Sequence, residues 1–186
     1  AAGAELDGRV LAEPVPLAEG VLLVVDLLHH VLVGPGGKHE ETLAETNADL
    51  LRFCQRLIAL RAAHPAFRFP MHTGQVAPDG SFLEVTWHGT QAWQADWSPA
   101  SRVLACVLRR YGGSAPEDVV YVALNGYWED LRFELPQPHG DRRWHVAVNT
   151  AMPSPEDAWD VGQEPLLADQ TGFLLTGRSA IVMIAR

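Results

Sequence analysis

The chain has 186 residues, 47% hydrophobic and 20% charged, so it carries enough apolar side chain to bury a core without disulfides or a metal. Its formal net charge of −9 excludes a surface that tracks phosphates, since the longest basic groupings, Arg109-Arg110 and Arg142-Arg143, read as solvated strand ends. A membrane span is excluded as well: the apolar run from Val21 to Val33 is broken by Asp26, His29 and His30, and falls short of the roughly 20 residues that cross a bilayer.

The first segment, Ala1 to Gly8, holds Glu5 and Asp7 and no basic stretch leading into an apolar run, so no secretory signal is expected. Residues 1–45 are punctuated by Pro14, Pro16, Gly20 and Gly34-Pro35-Gly36-Gly37 around Val21–Val33, which suits either a helix or a strand pair. His29, His30 and His39 fit no zinc spacing, and no metal or cofactor is expected.

A helix is predicted over about 47–63. Thr46 or Asn47 serves as N-cap, with Asp49 in the first turn, where the helix dipole favours an acid. Leu50, Phe53, Cys54, Leu57, Ile58 and Leu60 recur at helical spacing and form a stripe facing a core. Arg52, Gln55, Arg56 and Arg61 fall mainly on the other face. His64-Pro65 ends the helix, because a residue before proline avoids the α region.

Residues 67–101 read as an irregular connector, rich in proline and glycine. One short strand is expected inside it, Phe82 to Trp87, with Leu83, Val85 and Trp87 on one face. After Ser101 the period becomes two. Strands are predicted at Val103–Leu108, Val119–Leu124, Leu131–Leu135, Trp144–Val148, Phe173–Thr176 and Ala180–Ile184. The Val119 strand is almost wholly apolar, so it is expected to be buried on both faces. Gly177-Arg178-Ser179 suits a tight reversal between the last two strands. Six short strands separated by turn signals predict an antiparallel β-sandwich preceded by one amphipathic helix. The loop from Met152 to Gln170 is long and holds three prolines.

The two cysteines, Cys54 and Cys106, make no framework and read as buried thiols of a reducing compartment, the cytoplasm. The adjacent acids Glu40-Glu41, Glu117-Asp118, Glu129-Asp130 and Glu156-Asp157 lie near turn signals and read as solvated charge. Ser98 and Ser154 have no nucleophile elbow around them. Tryptophans stand out more. Trp87, Trp93 and Trp97 cluster in the connector, and Trp128 and Trp159 lie in or near loops, while Trp144 reads as core. An aromatic face suits stacking on the C–H face of a sugar. Anchoring of the connector is the weightier reading for Trp87 and Trp97; as carbohydrate-binding candidates the sequence offers Trp87, Trp93 and Trp97.

Four pieces, in order, carry a family resemblance. They are Asn47-Ala48-Asp49-Leu50-Leu51-Arg52-Phe53 running into Leu57-Ile58-Ala59-Leu60-Arg61 and His64-Pro65; Trp87-His88-Gly89 followed by Asp96-Trp97-Ser98 and Ser101-Arg102-Val103-Leu104-Ala105; Val120-Tyr121-Val122-Ala123-Leu124-Asn125 with Leu135-Pro136, Trp144 and Asn149-Thr150; and Leu175 with Gly177-Arg178-Ser179. Together they resemble the C-terminal end of an isoamylase-type glycogen debranching enzyme of the alpha-amylase superfamily. The resemblance covers about residues 44–186. It implies that residues 46–66 hold the last helix of a catalytic (β/α)8 barrel and that 102–186 build the terminal sandwich. Residues 1–45 read as a divergent leader: Gly34 to Glu41 does not match the family's asparagine-rich, acidic segment, and Asn149 stands where an aspartate is common.

The family's activity implies hydrolysis of α-1,6-glucosidic branch points with retention, which takes two carboxyl groups about 5–5.5 Å apart. A full barrel takes roughly 250 residues, so the catalytic strands do not fit before residue 46. No catalytic residue is therefore expected here, and the chain alone is expected to be inactive. Its implied partners are the parent's barrel and glycogen or a related α-glucan. A free-standing carbohydrate-binding or protein-interaction module is the alternative. Against it stands the helix, whose apolar stripe needs cover.

Overall fold

The computed structural model describes residues 47–70 and 74–186. The expectations for the leader 1–45, including Val21–Val33, His29, His30, His39 and Glu40-Glu41, and for Thr46 as a cap, lie outside the described residues.

Helix α1 spans Ala48–Ala63, with Asn47 at its N-cap and the Leu51 N–H donating to the Asn47 carbonyl at 2.9 Å. Asp49 in its first turn and Arg61 in its last match the dipole. His64 is extended (φ −108°, ψ 100°), as a residue before proline should be, and Pro65–Arg68 follows as a single 3-10 turn.

Seven strands follow: β1 Ser81–His88, β2 Val103–Gly112, β3 Asp118–Asn125, β4 Leu131–Glu134, β5 Trp144–Asn149, β6 Gly172–Leu175 and β7 Ser179–Ala185. They form a five-stranded sheet of order β1-β2-β3-β7-β5 and a two-stranded sheet, β4-β6, with every pair antiparallel. The expected antiparallel sandwich with one helix before it is therefore present.

Period-two alternation divides the large sheet into two faces. One face packs on the small sheet: Ala105, Tyr121, Trp144 and Met183 meet Phe133, Phe173 and Leu175. Phe133 and Phe173 stack with centroids 5.6 Å apart, and Tyr121 meets Phe173 edge-on. The other face carries Leu83, Val120, Val148 and Ile184 and is covered by Phe53, Leu57 and Leu60 of α1 with Ala66 and Phe67 of the 3-10 turn. Strand β3 is central and buried on both faces, with Val119, Val120, Tyr121 and Ala123 at most 5% exposed.

Several expectations need correction. The buried stripe of α1 runs through Phe53, Cys54, Leu57 and Leu60, while Leu50 and Ile58 are exposed at 42% and 48%. The helix is rotated from the expected face because Arg52 and Arg56 are used for docking. The Arg52 guanidinium pairs with Asp157 and donates to the Ala158 carbonyl at 3.2 Å; Arg56 pairs with Asp160. The reversal at Gly177-Arg178-Ser179 is no hairpin: it carries the chain from β6 in the small sheet to β7 in the large one.

Some of the paired acids and arginines are also less solvated than expected, while Glu129, Asp130, Glu156 and Arg143 are exposed as expected. Glu117 bridges Arg109 and Arg142, Asp118 receives His64 and the Ala66 N–H, and Asp157 holds Arg52. Arg110 is only 6% exposed and donates to Asp79 at 3.2 Å. Apart from Arg109 and Glu117, which meet across the turn between β2 and β3, these partners come from distant segments, so local sequence gave no sign of them.

Candidate functional site

Trp87 and His88 are consecutive residues at the end of β1 and therefore point to opposite faces of the sheet. Everything else in the connector follows from that split. Trp87 stands on the helix side, opposite Cys106 in register. Trp97 folds back onto it, with centroids 5.6 Å apart at 72°, an edge-to-face contact. Trp97 remains 66% exposed.

His88 enters the sandwich interior, where it is fully buried beside Tyr121. Its Nδ1 lies 2.7 Å from the Trp93 backbone nitrogen. A backbone N–H can only donate, so Nδ1 accepts and carries no proton. The ring proton is thereby assigned to Nε2, which donates to the Thr86 hydroxyl at 3.0 Å. Burial disfavours the charged ring and pulls the His88 pKa down.

Trp93 packs edge-on against His88, with centroids 4.9 Å apart, and is 64% exposed. It sits third in the turn Gln91–Gln94 with φ +65°, a left-handed conformation that turns normally give to glycine or asparagine. The turn is sewn to the small sheet. The Ala92 N–H donates to Glu134 Oε2 at 3.1 Å, and the Glu134 N–H donates to the Thr90 carbonyl at 2.8 Å. Gly89 is required by space, because a Cβ there would lie 2.5 Å from the Gln94 carbonyl oxygen.

The rest of the motif is turn chemistry. Asp96 Oδ1 accepts the Ser98 N–H at 2.9 Å, and hydrogen bonding from Ser98 holds its carboxyl below the usual range. The Ser101 hydroxyl donates to the Val103 carbonyl, and the Arg102 carbonyl accepts the Gly126 N–H at 2.7 Å. Of the three candidate tryptophans, Trp87 and Trp97 are thus brought together, and Trp93 sits across the sheet from them. Trp128 is a further exposed ring, stacked on Tyr127 at 3.9 Å.

Beneath Trp93 lies a cleft of about 250 Å³, bounded by Glu84 and Thr86 of β1, Arg109 of β2 and the Pro136–His139 segment. Trp144 forms part of its floor, fixed by its indole N–H donating to the Pro136 carbonyl at 2.9 Å. Glu84 and Arg109 face each other in register, and Arg109 is shared between Glu84 and Glu117. These hydrogen bonds and charges raise the Arg109 pKa. Burial pushes Glu117 up, but the bonds and charges of Arg109 and Arg142 outweigh it and leave its carboxyl below the usual range. Glu84, Arg109, Gln137 and His139 were missed by sequence reasoning, because a cleft built by cross-strand register leaves no local motif.

A second cleft, of about 320 Å³, is lined by Pro65, Phe69, Asp79 and Arg110. Each cleft holds one carboxylate, Glu84 or Asp79. Among the described residues there is no group of three or more His, Cys, Asp or Glu side chains placed to hold a metal. Nor is any described helix long and apolar enough to cross a membrane.

The two-sheet architecture, the helix laid on its outer face and the aromatic turn joining the sheets define an antiparallel β-sandwich domain. Residues 86–172 match the family model "Isoamylase 1-3, C-terminal". The chain carries an isoamylase-type C-terminal part. It is 31% identical over 149 residues to an isoamylase of Flavobacterium sp, covering 75% of this chain and 19% of that protein. To the isoamylase of Pseudomonas amyloderamosa it is 27% identical over 129 residues, covering 67% and 15%. To the chloroplastic isoamylase SU1 of Zea mays it is 29% identical over 113 residues, covering 61% and 13%. The chain spans less than a fifth of the length of these curated relatives.

Proposed function

We propose that this chain forms the C-terminal end of an isoamylase-like debranching enzyme acting on α-1,6 branch points of glycogen or a related glucan. Residues 46–66 serve as the last helix of the catalytic barrel; the sandwich that packs on it takes in β1, Ser81–His88, from the expected connector 67–101 and continues through 102–186. The barrel supplies the pair of carboxyl groups that retaining hydrolysis needs. This chain covers apolar barrel surface on its helix side, where Trp87 and Trp97 pack together, and presents Trp93 toward glucan from the opposite side of the sheet. The buried thiols Cys54 and Cys106 support a cytoplasmic setting.

One observation supports this reading most. Helix α1 is anchored to the sandwich through Phe53, Leu57 and Leu60, yet Leu51 and Ile58 on another flank stay 36% and 48% exposed. Trp97 and Leu124, at 66% and 41%, are further exposed apolar side chains on the helix side of the sheet. A helix apolar on two flanks suits a joint between two domains.

The purified chain is expected to release no reducing ends from amylopectin. It is expected to associate with an isoamylase barrel expressed without its own C-terminal part, and Ile58→Asp is expected to weaken that association. Branch-point hydrolysis by the chain alone, or failure to associate, overturns the proposal. The exposed Trp93 and Trp128 favour, as a second reading, a free-standing carbohydrate-binding module, which predicts glycogen binding without barrel association.

A further inference from the structure

We propose that the cleft beneath Trp93 is a sugar subsite that takes one glucosyl unit of an α-glucan, with the Trp93 ring as its stacking wall and Glu84, Arg109, Gln137 and His139 as its polar contacts. The inference rests on the glucan-enzyme reading above.

Four observations carry it. The first is the conformation of Trp93. A bulky residue at φ +65° costs stability, and the surrounding contacts hold it there nonetheless. Its N–H is clamped by the buried His88, and the neighbouring Ala92 N–H is clamped by Glu134. The turn spends this strain on displaying an indole ring that is 64% exposed.

The second is size. A volume of about 250 Å³ lies near the lower end of small-molecule pockets, about 300 Å³, and suits one pyranose ring better than a chain. The third is lining chemistry. One aromatic wall is paired with a carboxylate acceptor, a guanidinium fork, an amide and the Thr86 hydroxyl, the mixture that an apolar ring face edged by hydroxyls requires.

The fourth is charge. Glu84 and Glu117 together balance Arg109 and Arg142, so the cationic groups already have anionic partners. Such a cleft selects a neutral polar ligand over a phosphate or carboxylate. It also opens on the sandwich side of β1, across the sheet from the Trp87–Trp97 pair. A glucan held here leaves the apolar helix side free.

The test is a titration of the full chain with maltotriose, followed by amide chemical shifts or tryptophan fluorescence. Trp93→Gly removes the ring and suits the positive φ, so its melting temperature is expected to equal or exceed that of the native chain. Maltotriose is expected to bind the native chain, to bind Trp93→Gly at least about tenfold more weakly, and to bind Trp97→Ala unchanged. If Trp93→Gly binds like the native chain while Trp97→Ala is weakened, the cleft assignment is overturned and the glucan contact of this domain stands. If the native chain does not respond at about 10 mM maltotriose, well above a millimolar Kd, the cleft and the glucan contact are both overturned.

Discussion

His88 Nδ1 accepts the backbone N–H of Trp93 at 2.7 Å, so a fully buried, neutral imidazole sets the position of an exposed indole. Burial lowers the His88 pKa below its ordinary value of about 6.5. The folded state therefore binds fewer protons than the unfolded state just below that value. Stability from this group is present above about pH 6.5 and is lost as the pH falls through the folded pKa. Thermal melts between pH 7.5 and 5 should show a falling melting temperature that begins near pH 6.5. His88→Gln, which cannot titrate, should flatten that part of the curve; an unchanged profile refutes the assignment.

Asp118 ties the end of α1 to the first residue of β3. Its Oδ1 faces His64 Nδ1 at 2.7 Å and its Oδ2 accepts the Ala66 N–H at 2.9 Å, with both side chains at most 15% exposed. Asp118→Ala removes two short bonds to a carboxylate and leaves a half-buried N–H without its acceptor. A loss of about 2 kcal/mol is expected in urea unfolding. A loss under about 0.5 kcal/mol would mean that Asp118 does not anchor the helix end.

Gly89→Ala should disturb the aromatic turn directly. The added methyl would sit 2.5 Å from the Gln94 backbone oxygen, which has no flexible side chain to yield. A cost of about 1–3 kcal/mol is expected, together with a shift in Trp93 fluorescence. An unperturbed emission spectrum would show that the turn adapts elsewhere.

The two flanks of α1 should respond unequally. Leu60 is 5% exposed and packs in the core between helix and sheet, so Leu60→Ala should cost about 2–5 kcal/mol. Ile58 is 48% exposed, and Ile58→Ala should stay within about 0.5 kcal/mol in the isolated chain. Equal costs would mean that the helix is seated the other way round.

Strand identity was legible because alternation is a local property. All seven strands fall where a period of two, or the all-apolar run of Val119–Leu124, predicted them. Sheet membership was not legible. Nothing near Gly177 distinguishes a hairpin from a crossing between sheets; that choice depends on Phe173 and Leu175 meeting Phe133 while Met183 meets Tyr121. The seating of α1 was misread for a similar reason. The sequence offers two apolar flanks, and the decision between them is made by Asp157 and Asp160, about a hundred residues downstream. The tryptophan cluster was visible as a cluster, but its division between two faces required the register of β1.

The long proline-bearing segment after β5 follows that strand closely. Val146, Asn149, Trp159 and Leu167 exchange main-chain bonds of 2.9 Å across it, with Pro165, Asp157, Ala147 and Trp144 as acceptors. An outermost strand normally offers unpaired amides to any passing extended peptide. Here that side of the barrier is already bolted, so runaway stacking of copies through β5 is blocked by the fold itself, and trimming the segment would reopen it.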